Sequence, residues 1–228
     1  MRDVWLHLDS GPGSASWNMA LDEALLENAP RAQRPILRFY AWTEPAASFG
    51  YFQKYAELER LTLLRPLIRR PTAGGLVPHD ADWTYSLVFP PSHPWYGLLA
   101  TESYCRVHSL LQQAFASLSL PTELASAQLK ASSGQCFVGY EQADLLFQGR
   151  KIAGAAQRRR KDGLLIQGSV QPPLPTMART DWQQALRSTI SKECAVDWQE
   201  YSLEVIIQQR AGELSNLKYS QPAYNQRR

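Results

Sequence analysis

The chain is short of cysteine, has no long apolar run and carries no marked excess of either charge. No stretch approaches the roughly 18 to 20 uninterrupted apolar residues that a membrane-spanning helix requires. The first nine residues hold Arg2, Asp3 and Asp9 and no apolar segment before a small-residue cleavage site. A secretory leader is therefore not expected, and a cytoplasmic location is. Cys105, Cys136 and Cys194 are odd in number and lack CxxC spacing, which argues against a disulfide framework and against a zinc site. Lys and Arg total 24 against 21 Asp and Glu, a net +3 that is too mild to demand nucleic acid. Neither nucleic acid nor a membrane is expected as a partner, and no metal site is expected. With 13 Gly and 15 Pro in 228 residues, low complexity is excluded as well. What is present, 44% hydrophobic and 11% aromatic residues, suffices for one sizeable core.

Helical spacing runs over residues 16–28, with Ser14 or Ser16 as the cap and Asp22, Glu23 and Glu27 expected to face outward. Residues 36–42, 47–52, 67–70, 83–89 and 164–170 read as strands, and 143–147 with 151–157 as a hairpin about Gln148-Gly149. Further helices are expected over 55–64, 101–118, 180–190 and 199–217. Interleaving without strict βαβ alternation predicts one α+β domain with a mixed sheet over residues 1–228.

A strand ending in Arg69-Arg70 opens into Ala73-Gly74-Gly75, a pattern that can set guanidinium groups and bare amides around an anion. The plainer reading of such glycines is a turn with solvated arginines. No GK[ST] follows, so this is not a P-loop. His79 closes the loop and is either a satisfied structural histidine or a catalyst. Lys151 stands among Gly149, Ile152, Ala153, Gly154, Ala155 and Ala156, where small neighbours leave room for an ammonium to hold an acyl or phosphoryl oxygen. An exposed hairpin lysine is the alternative. Cys136 follows a polar passage without a core pattern; near cations it would become a thiolate nucleophile, and a small buried hydrophobe is the plainer reading of a lone cysteine. Cys105 and His108, one helical turn apart, look more like packing, and the run Arg158-Arg159-Arg160-Lys161 reads as a solvated turn or a steering patch for an acidic carrier protein.

Five segments in order resemble the lipoate and biotin protein ligase catalytic domain, most closely its lipoate-attachment branch. They are Trp17-Asn18-Met19-Ala20-Leu21-Asp22-Glu23, Leu37-Arg38-Phe39-Tyr40-Ala41-Trp42, Ser48-Phe49-Gly50-Tyr51-Phe52-Gln53, Arg69 through Asp80, and Gly149 through Gln157. The resemblance implies a mixed central sheet with helices on one side, of the class II aminoacyl-tRNA synthetase-like kind, and an acyl tunnel. It implies attachment of lipoate or its octanoyl precursor to a lysine of a lipoyl domain or a glycine cleavage H-type protein. By the same resemblance Cys136 and Lys151 are the catalytic candidates. Arg69, Arg70, Thr72, Ala73, Gly74, Gly75, His79, Gly154, Ala155, Gln167 and Gly168 are the substrate-binding candidates. Cysteine-type octanoyltransferases take octanoate from acyl carrier protein and need no cofactor. Lipoate-protein ligases instead use ATP and Mg to form an acyl adenylate. Cys136-Phe137 ahead of the Gly-Arg-Lys motif favours the transferase. The family's Thr-Gly-Gly-Gly reads Thr72-Ala73-Gly74-Gly75 here and its His-Gly-Ser/Thr reads Gln167-Gly168-Ser169, which keeps a non-catalytic acyl- or carrier-binding relative as a further alternative.

Overall fold

The computed structural model describes residues 2–129, 137, 139–174 and 176–227. In chain order the elements are β1 (Asp3–Gly13), α1 (Ala15–Ala32), β2 (Ile36–Trp42), β3 (Ala46–Phe49), α2 (Tyr55–Leu58), β4 (Leu67–Arg69), β5 (Val77–His79) and β6 (Trp83–Phe89). They continue with α3 (Pro94–Gly97), α4 (Ala100–Ser117), β7 (Glu123–Leu124), β8 (Leu145–Phe147), β9 (Arg150–Arg160) and β10 (Gly163–Val170). The last are α5 (Arg179–Glu193), β11 (Val196–Glu200), α6 (Val205–Leu214), a π-helical turn (Ser215–Tyr219) and α7 (Pro222–Asn225). An eight-stranded sheet has the order β11-β1-β2-β6-β10-β9-β8-β7, and β4-β3-β5 form a second, three-stranded sheet. Strand β1 runs parallel to both β11 and β2, whereas β2, β6, β10, β9 and β8 pair antiparallel in turn. The fold is thus the expected α+β type with a mixed sheet.

Helices cover both faces of the large sheet, not one. Leu37, Phe39, Tyr85, Leu87 and Ile166 pack with Val107, Leu111, Trp182 and Leu186 of α4 and α5. Ile36, Val88 and Leu165, which alternate with them, pack with Met19, Leu21 and Leu25 of α1 and Ile207 of α6. A strand that is apolar on both faces needs cover on both. Ser14 caps α1 by accepting from the Trp17 amide at 3.3 Å.

Other expectations are corrected. The helix expected over 55–64 closes after Leu58, and Leu63 is almost fully exposed. The expected 199–217 helix begins only at Val205, because Val196–Glu200 forms an edge strand against β1. Strand β1 itself carried no expectation. Asp22 and Glu23 point inward rather than outward, Asp22 answering the buried Arg38 and Glu23 the partly exposed Arg160 and Lys218. Arg158, Arg159 and Arg160 lie within β9, not in a turn. Among the described residues, no helix is long and apolar enough to cross a membrane.

Candidate active site

The sheet face toward α1 carries two polar rows across neighbouring strands. Arg38, Ser86 and Gln167 face one another in register on β2, β6 and β10, and all three converge on Asp22 of α1. Arg38 Nη1 lies 2.6 Å from Asp22 Oδ1, Ser86 donates to the same oxygen at 2.7 Å, and Gln167 Nε2 donates to Oδ2 at 2.7 Å. Gln167 also accepts from the Thr72 hydroxyl at 2.8 Å, tying the loop after β4 to α1. The second row, Tyr40, Thr84, Ser169 and Gly154, forms the floor of a cavity of about 450 Å³ including its open mouth. Met19, Val77, Ala155, Ala156 and Phe137 supply apolar wall, while Arg70, His79 and Lys151 bring polar ends to it. Apolar walls with a few convergent polar groups are the usual form of a small-ligand site.

Lys151 reaches this cavity because β9 carries a bulge. The pairing of β8 with β9 steps from Leu145–Ala153 to Leu146–Lys151, so one extra residue on β9 breaks the alternation. Ile152 and Ala153 both enter the α4 core, and Lys151 comes to share a side with Gly154. Its ammonium pairs with Asp144 Oδ2 at 2.6 Å; the two side chains are 5% and 0% exposed. Asp144 is itself held by the Tyr104 hydroxyl and by the Glu141 amide at 2.7 Å. The Lys151 Nζ lies 5.4 Å from the centroid of the Phe137 ring. An ammonium has three N–H donors; among the described residues Asp144 alone pairs with it, which leaves N–H groups that can meet a cavity oxygen.

A Cβ at Gly154 would stand 2.8 Å from both Cε and Nζ of Lys151 and 3.2 Å from Asp144 Oδ1. Gly154→Ala is therefore expected to displace the ammonium, lowering turnover by about ten- to a hundredfold, with a smaller loss of melting temperature than Lys151→Met because the cation stays beside Asp144. Steady-state kinetics beside thermal unfolding check this.

The remaining candidates divide by location. His79 is fully partnered, Nε2 to Ser48 Oγ and Nδ1 to Asp82 Oδ2, each at 2.8 Å, and stacks on Trp42 at 3.9 Å. With Asp82 accepting from Nδ1–H, Nε2 is left to accept from Ser48, and the ring is locked against the cavity wall. Arg70 donates to the Ala73 carbonyl from Nε at 3.0 Å and Nη2 at 2.6 Å, so it both faces the cavity and anchors the glycine loop. Gly74 has φ +89°, a conformation suited to glycine, and a Cβ at Gly50 would meet the Gly74 carbonyl oxygen at 2.0 Å. Thr72, Ala73, Gly74 and Gly75 stand behind the cavity wall rather than on it. Gly168 lies on the wall, and the Tyr85 ring fills the place of its missing Cβ from the other face. Arg69 is not at the cavity. Fully buried, it donates to the carbonyls of Tyr51, Gln53, Tyr224, Asn225 and Arg227, clamping the tail onto the second sheet. Cys136 lies outside the described residues. Cys105 is exposed, whereas His108 is buried in α4.

The chain belongs to the lipoyl protein ligase A/B catalytic domain family. The family model matches residues 14–174, which hold every candidate named above. Octanoyltransferase LipM of Anoxybacillus flavithermus is 37% identical over 182 residues, and that of Bacillus subtilis 35% over 182. Each alignment covers 74% of this chain and 66% of the relative, so the chain spans just under two thirds of their length. In three dimensions it is similar to a lipoate-protein ligase A bound with ATP, with TM-score 0.80 and 22% identity over 99% of both chains. A bipartite lipoate protein ligase of Thermoplasma acidophilum gives 0.73 and 21%, over 99% of this chain and 97% of that one. These two likenesses establish the shared fold.

Within this lipoyl ligase-type fold, reading the sequence missed Asp144, Tyr104, Asp22 and Asp82. A lone acid seven residues before Lys151, ahead of Leu145-Leu146-Phe147, was the available signal for the first. His108 is the site's pH-sensitive neighbour. Its Nδ1 donates to the Tyr104 carbonyl at 3.0 Å, and burial pushes its pKa down to about 4. Below its ordinary value near 6.5 the unfolded chain takes up a proton that the native state refuses. Stability present above that pH should therefore fall by roughly 3 kcal/mol on acidification to about 4. Urea unfolding across this range should show a shallower slope for His108→Phe.

Proposed function

We propose that the protein transfers an octanoyl group from acyl carrier protein to a lysine of a lipoyl domain or glycine cleavage H-type protein, through a thioester on Cys136. One observation carries this reading above the others: Phe137, the next residue in the chain after Cys136, lies over the Lys151 ammonium at the cavity mouth. The relatives named octanoyltransferase support the same chemistry.

In the first step the Cys136 thiolate attacks the carbonyl carbon of the donor thioester. A C–S bond forms, the donor's C–S bond breaks, and the donor leaves as a thiolate that takes up from solvent the proton Cys136 released on ionising. In the second, the acceptor's neutral ε-amine attacks the enzyme thioester, forming an amide, and Cys136 leaves as thiolate while the amine loses a proton. Both steps develop an oxyanion, which the Lys151 N–H groups not turned to Asp144 would stabilise. The positive charge of Lys151 also favours the thiolate. Seven aliphatic carbons of the chain, lodged against Met19, Val77 and Ala156, contribute a gross gain of about 5 to 6 kcal/mol. Lys151 and Phe137 also border a second groove with Tyr140, Phe147 and Pro173, which gives the acceptor lysine a separate approach. No cofactor is required.

Mixing the protein with octanoyl-acyl carrier protein and a lipoyl domain, without nucleotide, should yield the octanoylated acceptor. Transfer that demands ATP and Mg, with lipoate-dependent pyrophosphate exchange, would replace this reading by the ligase. Binding without turnover by either route would replace it by a non-catalytic relative.

A further inference from the structure

Beyond its bulge, β9 alternates regularly, so Gly154, Ala156, Arg158 and Arg160 share one face. The first two line the cavity. At about 3.3 Å rise per residue, Arg158 starts roughly 7 Å beyond Ala156. Gly74 approaches Ala156 closely, 3.4 Å separating the Ala156 methyl from a Cβ built on the glycine. Tyr51, whose amide donates to the Thr72 carbonyl at 2.9 Å, is fixed to that same loop. The guanidinium carbons of Arg158 and Arg227 lie 4.7 and 4.4 Å from the Tyr51 ring centroid.

Farther along the row, Arg160 and Lys218 share Glu23 at 2.9 and 2.5 Å. Burial alone would raise the Glu23 carboxyl, yet Lys218, Tyr219 and Arg160 hold it below its ordinary value. That carboxylate is spent on two cations. Neither Arg158 nor Arg227 has a carboxylate partner among the described residues, and a buried Nη2 of Arg227 has no hydrogen-bond partner among them. Contact with Arg227, then the charges of Arg227, Arg158 and Lys218, pull the Tyr51 hydroxyl below its ordinary value against the opposing effect of burial. Half-buried guanidinium groups without counter-charge favour an incoming anion, and their planar forks suit the tetrahedral oxygens of phosphate.

We infer that Arg158, Arg227 and Tyr51 form a phosphate-binding subsite beside the acyl cavity, which holds the phosphate ester of the substrate's larger portion while the acyl end enters. Two substrates bring that chemistry: the phosphopantetheine arm of a carrier protein, and a nucleotide. Only the choice between them rests on the transfer reading.

The test is calorimetric titration of the full chain with two pairs of probes, phosphopantetheine against pantetheine and ATP against adenosine, with no acyl transfer involved. Wild type should prefer the phosphorylated member of the first pair by about tenfold or more, and Arg158→Gln or Arg227→Gln should erase that preference at an unchanged melting temperature. The same arginine-dependent preference confined to the ATP pair would keep the subsite and assign it to a nucleotide, overturning the transfer reading instead. No preference in either pair, or a preference that survives both substitutions, would overturn the subsite. So would variants weakened only toward intact octanoyl-acyl carrier protein, since the arginines would then be reading an acidic protein surface.

Discussion

Lys151→Met is expected to lower octanoyl transfer by about two to three orders of magnitude, the cost typical of removing a preorganised oxyanion donor. It should also destabilise the fold. The substitution leaves the Asp144 carboxylate, 0% exposed, without the cation 2.6 Å away. Breaking a buried pair from one side commonly costs about 3–5 kcal/mol. The Tyr104 hydroxyl and the Glu141 amide remain on Asp144 and set the loss toward the lower end. The two effects separate in a double substitution. Lys151→Met with Asp144→Asn removes the stranded charge, so urea unfolding should recover most of the lost stability while kcat/KM stays at the single variant's level. Activity restored with stability would mean that the lysine only supports the fold.

The second large effect lies deeper. Arg38, 0% exposed, spends its guanidinium on Asp22 Oδ1 at 2.6 Å, the Asn18 carbonyl at 3.0 Å, Asn18 Oδ1 at 2.9 Å and Ser10 Oγ at 2.8 Å. Its loss orphans Asp22, on which Ser86 and Gln167 also depend. Arg38→Met should cost about 3–5 kcal/mol and lower the melting temperature by on the order of 10 °C. Because Asp22 connects through Gln167 to Thr72, the glycine loop should loosen as well, raising KM for the acyl donor. Arg38→Lys should recover little of either, since an ammonium cannot span this fork of acceptors. Thermal unfolding and KM measured on the three proteins test the coupling.

Much of this architecture was open to reading in the sequence. Residues 36–42 and 83–89 are strands with the expected bounds, since β-branched and aromatic residues there stop sharply at turns and prolines. The α4 stripe of Val107, Leu111, Ala114 and Phe115 does pack inward. What stayed hidden depends on partners distant in sequence. Helical periodicity cannot distinguish a solvated Asp22 from one that meets Arg38 on the facing sheet, and it mistook a buried network for the outer face of α1. Strand β11 has a single buried residue, Val196, so its polar edge carries no alternation to read. Of two adjacent arginines, Arg70 faces the cavity while Arg69 holds the tail, because neighbours on an extended chain point opposite ways. The same rule would have set Lys151 and Gly154 on opposite faces. Only the bulge, which pairing with β8 creates, brings them together.

The most direct test of a thioester mechanism is intact mass spectrometry of the protein after exposure to octanoyl-acyl carrier protein, with neither nucleotide nor acceptor present. The mechanism predicts a gain of one octanoyl group per chain, released by hydroxylamine, absent in Cys136→Ala and strongly reduced in Lys151→Met. An unmodified wild type that still transfers octanoate, or a Cys136→Ala variant that acquires the same adduct, would contradict it.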